Sequence, residues 1–349
     1  MKTRFDARCL SYVVFLALAA LGGAPGCGEN NNPASSGSKG AVDLANAATE
    51  EGAVNEISKL GGAVFKIHNR VTCVSFAGSV GKQLTDDDLQ ILKPFTSLDE
   101  LQLFGTEVTD AGLERLTGFP NLRVLNLKGT KVTGSGLVHL KGLAQLRTLN
   151  LNDTNLAESE LESLRDLHGL QELWLDNTPI GDAGLEHVKN LTDLQLLSLR
   201  GTQTSDHGLE HLKDLNQLRT LILSECKVGD AGLAHLKDLT DLQEIDLEGT
   251  ETSDAGLEHL RGITKIGKLW LSGTRVTDAG LSHLAGMSEL INLDLRNTEI
   301  GDGGLDHLLG LSKLQVVQMS ETHVTSSGAK KLRDSIPRIF TPPFVGEGT

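Results

Sequence analysis

The chain has 349 residues and a formal net charge of −14, and its first residues are basic, so the remainder is more acidic still. That balance repels phosphate backbones, and no basic stripe offsets it, which argues against nucleic acid as a partner. Aromatics make up only 3%, so any core has to be built mainly from leucine. The length could hold two ordinary domains, but a strict internal repeat overrides that prior and predicts one elongated body.

Lys2, Arg4 and Arg8 precede an apolar run, LSYVVFLALAAL at 10–21, and then Ala24-Pro25-Gly26-Cys27. A charged start, a short apolar run and a small-residue site predict a secretory signal over 1–27. The run falls short of the roughly 20 residues that span a bilayer. Gly26 before Cys27 resembles the bacterial lipobox, in which the cysteine receives a lipid and becomes the new N-terminus. Ala24 stands where that motif usually has leucine, and Pro25 is unusual there. The competing reading is cleavage after Ala24, which yields a soluble secreted protein. Residues 28–42 begin GENNNPASSGSKG, a composition expected of a flexible tether.

An N-terminal cap is expected over 43–73. Leu44, Ala47, Val54, Ile57 and Leu60 fall at helical spacing until Gly61-Gly62 stops the run. AVFKI (63–67) and VTCVSF (71–76) then read as strands, with Asn69-Arg70 as their hairpin connection. Val74 to Leu89 reads as a first, irregular repeat, because LTDDDL (84–89) matches the VTDAGL of later units.

From Leu101 the chain repeats every 24 residues without insertion or deletion. The anchors are Leu101, Leu125, Leu149, Leu173, Leu197, Leu221, Ile245, Leu269, Leu293 and Val317. The unit reads L-x-L-x-x-T-x-V-T-D-A-G-L-x-H-L-x-x-L-x-x-L. In the L-x-L strand, offsets 0 and 2 face inward, and offsets −1, 1 and 3 face outward. Asp at offset 9 is placed to cap a short helix in its own unit. Leucines at offsets 12, 15, 18 and 21 bury that helix and the return to the next strand. No unit of this size buries enough apolar surface to fold alone, so stability comes from stacking. About eleven repeats are expected over 74–322. A C-terminal cap and tail follow over 323–349, where Thr325-Ser326-Ser327-Gly328 starts a last helix.

These motifs resemble leucine-rich-repeat proteins, above all the cysteine-containing repeat class known from F-box-type adaptors and from exported bacterial proteins. The resemblance implies an α/β solenoid, a horseshoe with parallel strands on the concave face and short helices on the convex face, and partner binding on the concave face. It also implies a ladder of small residues bonded to backbone in the next coil. Here that ladder is Thr106, Thr130, Thr154, Thr178, Thr202, Cys226, Thr250, Thr274, Thr298 and Thr322. No F-box precedes the repeats, so the adaptor role does not transfer.

Little else points to chemistry. Cys73 and Cys226 lie about six repeats apart, roughly 30 Å at about 4.8 Å per strand, far beyond disulfide reach. His207-Gly208-Leu209-Glu210-His211 spells a zinc-protease motif, but Glu-His pairs recur at 186–187 and 258–259, so the repeat explains all but His207. Seven histidines at offset 14, His139 to His307, read as one solvated helix face. Gly78-Ser79-Val80-Gly81-Lys82-Gln83 lacks phosphate-loop spacing. No cofactor, metal or catalytic group is expected.

The outward strand positions are more informative. Trp174 and Trp270 share offset 1, and Phe104, Val124, Leu196, Ile222 and Val316 point the same way. Glu244, Asp246 and Glu248 fill all three outward positions of one strand. A ligand surface of Trp174, Asp176, Arg200, Ile222, Glu244, Asp246, Glu248, Lys268 and Trp270 is expected, favouring a protein or peptide, and a basic one. The expected function is a non-catalytic scaffold held outside the cytoplasm at the cell membrane or outer membrane by lipid on Cys27. The alternative is a structural or self-associating envelope component acting as a spacer.

Overall fold

The computed structural model describes residues 42–76, 84–336 and 338–341. The leader with Cys27, the tether up to residue 41 and the Gly78–Gln83 stretch lie outside the described residues.

The body opens on helix α1 (Glu50–Lys59). The Thr49 side chain accepts the Gly52 N–H at 3.1 Å. Glu50 and Glu51 occupy the first turn and Lys59 the last, the polarity that the helix dipole favours. Strands β1 (Ala63–Ile67) and β2 (Arg70–Ser75) then pair antiparallel. Their turn is His68-Asn69, with φ of 47° and 64°, one residue earlier than the sequence pattern indicated. A two-residue loop with both central residues left-handed matches the twist of its strands.

β2 is also the first parallel strand, since Val74 pairs with Leu101. Ten three-residue strands follow, one per repeat, from β3 (Glu100–Gln102) to β12 (Val316–Gln318). Each pairs with the next in sequence order, giving a 12-stranded sheet that is parallel from β2 onward. Short helical turns alternate with the strands, and the fold is the expected α/β solenoid. The core runs between the strand and helix sides: Leu197, Leu199, Leu209, Leu212, Leu215 and Leu218 of one coil are all fully buried. The last helix, α2 (Ser326–Ser335), is capped by Thr325. Phe340 then bridges to Val316 at the sheet's end.

The aspartate at offset 9 does not cap its own helix. Asp110, Asp182, Asp254 and their equivalents are the first helical residues, preceded by a Thr, Ser or Gly cap. Each carboxylate instead reaches the cap residue of the following coil. Ser205 donates to Asp182 from its backbone N–H at 2.7 Å and its hydroxyl at 2.6 Å. Ser253 does the same to Asp230 at 2.7 and 2.6 Å, and Thr277 to Asp254 at 2.8 and 2.7 Å. Where the cap is glycine, only the N–H bond forms, as from Gly229 to Asp206 at 2.7 Å.

This ladder explains the glycine of D-A-G-L. A Cβ on Gly232 or Gly256 would stand 2.5 Å from the Oδ1 of Asp206 or Asp230 in the preceding coil, well inside van der Waals contact. The chain carries its own control. Gly134 replaces the aspartate in one coil, and there the next coil has Glu160 where the glycine would fall. A Cβ on Gly134 would meet the Glu160 Cβ at 2.5 Å. The Ala157 N–H turns to the Thr133 carbonyl at 3.0 Å.

The threonine ladder also differs from what the resemblance implied. Thr106, Thr130, Thr274 and Thr298 donate to the carbonyl three residues back in their own coil, at 2.6–2.7 Å. That carbonyl also accepts the threonine's own N–H, as Leu103 does from Thr106 at 3.2 Å, so the short hydroxyl reaches its second lone pair within the same turn. Cys226 is the member that crosses, its Sγ donating to the Leu199 carbonyl of the preceding coil at 3.0 Å. Thr202, whose own-coil acceptor that carbonyl would be, lies 2.9 Å from the Thr204 hydroxyl instead. Burial pushes the Cys226 thiol up, which is the state of an inert packing residue.

Hydrogen bonds from the Thr325 side chain and backbone hold the Asp302 carboxyl below its ordinary value. A folded pKa below the unfolded one gives stability that is present above about 3.9 and lost as pH falls through the folded value. Urea midpoints should therefore drop on acidification below about pH 4, and Asp302→Asn should drop less steeply than the parent. Parallel curves would exclude the ladder as a source of acid sensitivity.

Candidate functional site on the open sheet face

The parallel register aligns the outward positions in rows. One row runs Asn150, Trp174, Ser198, Ile222, Asp246, Trp270, Asp294. Beside it runs Glu172, Leu196, Thr220, Glu244, Lys268, Asn292. Glu244, Asp246, Glu248, Lys268 and Trp270 thus come together on two adjacent strands. Trp174 and Asp176 stand four strands away, about 19 Å at about 4.8 Å per strand. Arg200 and Ile222 lie between.

The two tryptophans and the aliphatic residues of this face are half-buried. The Trp174 row neighbours Asn150 and Ser198 are wholly buried. The indole Nε1 of Trp174 and the amide Nδ2 of Asn150 are covered and lack a hydrogen-bond partner. Among the described residues, the large apolar side chains that stand exposed are elsewhere: Leu44, Phe65, Val138, Ile291 and Phe340. Phe65 lies opposite Cys73 in the hairpin and Phe340 opposite Val316. Sequence reasoning missed both because each falls outside the repeat.

Much of the charge on this face is already paired. The Lys268 ammonium lies 3.0 Å from Glu244 and 6.0 Å from the centroid of the Trp270 ring, within cation–π range. The Arg200 guanidinium donates to Glu225 at 2.6 Å. Glu225 itself sits at φ 61°, in the left-handed region where most other coils carry glycine or asparagine. Asp176 accepts from the Ser198 hydroxyl, the Arg200 N–H at 3.1 Å and the Asn152 amide at 2.9 Å. It therefore braces three coils and offers little to a ligand. Asp294, fully buried, accepts the Arg296 Nε at 2.9 Å and its Nη2 at 2.6 Å.

Asp246 differs from these. Its hydrogen bond is from the Glu248 N–H at 2.9 Å, and no salt bridge reaches it from any described residue. Burial pushes its carboxyl up, against the pull of Glu248, Ser224 and Arg200. Glu172 and Asp176 are raised by burial as well. A carboxyl whose folded pKa is raised disfavours the fold once ionised, and that penalty disappears as pH falls through the folded value. The helix side carries no comparable grouping: among the described residues no three His, Cys, Asp or Glu side chains gather as metal ligands would. His207 and Glu210 of the protease-like motif are exposed.

Coils of fixed length, one parallel strand each, an inward leucine frame and an open sheet face define a leucine-rich-repeat solenoid. A model of the leucine-rich repeat region matches residues 106–301, more than half of the chain, and the protein belongs to that family. Such proteins are scaffolds, usually non-catalytic, that typically bind proteins through the concave face. An internalin of Listeria monocytogenes is 21% identical, the match covering 79% of this chain and 87% of that one with a TM-score of 0.55. A leucine-rich-repeat protein of Leptospira interrogans is 16% identical over 72% of this chain and 74% of its own, with a TM-score of 0.50. At these identities the likeness is one of fold. No curated protein matches the chain.

Proposed function

We propose that the protein is a non-catalytic scaffold that captures a protein or peptide on its concave sheet face, outside the cytoplasm. The observation that carries this reading is the patch of Trp270, Glu244, Asp246, Glu248 and Lys268 on two neighbouring strands, with Trp174 as a second anchor further along the same row. Half-buried tryptophans flanked by carboxylates make aromatic anchors in a negatively charged setting, suited to a basic partner. Capture by the full chain as bait should be weakened by Trp270→Ala and Trp174→Ala, each by about 2 kcal/mol or more. Circular dichroism should stay unchanged. Raising salt should weaken capture too. Loss of capture on His235→Ala or His259→Ala instead, with the tryptophan variants unaffected, would put the site on the helix side.

Export is expected to end in lipid attachment at Cys27, with residues 28–42 as the tether between membrane and body. Two or more acyl chains would hold the protein stably at a membrane. Cys27→Ser should then release it to the soluble fraction, and unchanged membrane partitioning would favour cleavage after Ala24.

A spacer or self-associating role is the second reading. It draws on the hairpin edge strand β1, where Phe65 is 57% exposed, because open edges pair with further strands. Concentration-dependent sedimentation that Phe65→Lys abolishes would favour it.

A further inference from the structure

The two strands that flank Trp270 carry the same aspartate with different companions. One reads Asn292-Leu293-Asp294-Leu295-Arg296 and the other Glu244-Ile245-Asp246-Leu247-Glu248. Asp294 and Asp246 are the register neighbours of Trp270 on its two sides. At Asp294 the chain supplies its own guanidinium, because Arg296 folds back over the carboxylate and bonds both oxygens. At Asp246 the residue two positions on is Glu248, so the equivalent seat holds a second carboxylate and no cation. Arg200 and Arg296 both feel Glu248, but Arg200 is hydrogen-bonded to Glu225 and Arg296 to Asp294. The Ser224 hydroxyl, in the preceding coil, lies beside the Asp246 carboxyl. It is 2% exposed and has no hydrogen-bond partner, although close enough to draw the Asp246 pKa down.

We infer that the Asp246–Glu248 seat beside Trp270 binds an arginine side chain of the partner, which takes there the position that Arg296 takes at Asp294. The inference rests on the concave-face reading above. A planar guanidinium matches a carboxylate with two parallel bonds and stacks on an indole, and a lysine ammonium does neither as well. The second carboxylate raises the negative potential where the guest charge arrives, while the Lys268 ammonium is held by Glu244 at 3.0 Å.

The test uses fluorescein-labelled hexa-arginine, hexalysine and hexaglutamate as probes against the purified full chain at several salt concentrations. Hexa-arginine should bind more tightly than hexalysine, and hexaglutamate should not bind. Glu248→Arg recreates the Asp-Leu-Arg sequence that this fold already carries at 294–296, so it should fold normally while filling the seat from within. It should weaken hexa-arginine binding about tenfold or more, as should Asp246→Asn, since each removes a desolvated charge contact. His235→Ala, on the helix side, should leave this probe unaffected. Equal affinity for the arginine and lysine peptides, or full binding by Glu248→Arg, would overturn the seat. A partner captured through Trp174 and Trp270 but indifferent to Glu248→Arg would leave the scaffold reading standing and remove only the arginine.

Discussion

Leu221→Ala should destabilise the protein by about 2–5 kcal/mol, the range for emptying a fully enclosed leucine site, and it should also change the shape of the unfolding curve. Leu221 is fully buried in the middle of the stack, between Leu197 and Ile245 in the strand register. A stack of coils is held together by nearest-neighbour interfaces, so weakening one central interface lets the two halves unfold apart. Denaturant titration followed by fluorescence should report this through the tryptophans, since Trp174 lies in one half and Trp270 in the other. Single-tryptophan versions, each retaining one indole, should show coincident transitions in the parent and separated ones with Leu221→Ala. Coincident transitions in both would mean that the array is cooperative beyond its neighbours.

Gly256→Ala should cost about 1–3 kcal/mol, the usual penalty for forcing extra volume into a packed site. It reverses the ordinary expectation that alanine stabilises a helix relative to glycine. The added methyl would sit 2.5 Å from the Asp230 Oδ1 and 3.0 Å from a Leu233 methyl. The carboxylate would have to move, and its bonds to the Ser253 N–H and hydroxyl would go with it. Asp230→Gly alone loses those bonds, but in the double variant the clash is absent, so the two changes should be coupled. The natural Gly134 and Glu160 pair is a like combination in another coil, with glycine for the aspartate and a side chain for the glycine. Additive losses in a double-mutant cycle would show that the glycine is there for some other reason.

The frame of the fold was legible because its signal repeats. Apolar residues, mainly leucine, at the same offsets in coil after coil leave no room for another register, and the parallel pairing follows from identical coil lengths. The aspartate was legible as a residue that accepts N–H bonds, but its partner lies 23 residues away rather than two or three. Helix-start chemistry and cross-coil chemistry ask for the same side chain, and the local rule was the one applied. The distinguishing signal was present all the same, in the simultaneous change at positions 134 and 160. The hairpin turn slipped by one residue because histidine is a weak marker of a left-handed position. On the sheet face, offset alone placed Trp174, Ile222, Asp246 and Trp270 in one row. It could not show that Asp176 is consumed by Asn152, Ser198 and Arg200, nor that Lys268 is bound to Glu244, because side-chain pairing depends on rotamers rather than on period.

The reach of Asp230 to Ser253, and of each equivalent carboxylate to the coil after it, has a consequence for how such a gene can change. A carboxylate in one coil has to meet an N–H and a glycine at set places in the next, so a single inserted codon inside the array would break every contact at that junction. Removing or duplicating a complete block of 24 codons leaves each junction chemically the same as before. The array is therefore quantised in length: recombination can extend or shorten it by whole coils, sliding the tryptophan and acidic strands relative to the ends while the scaffold beneath them stays intact.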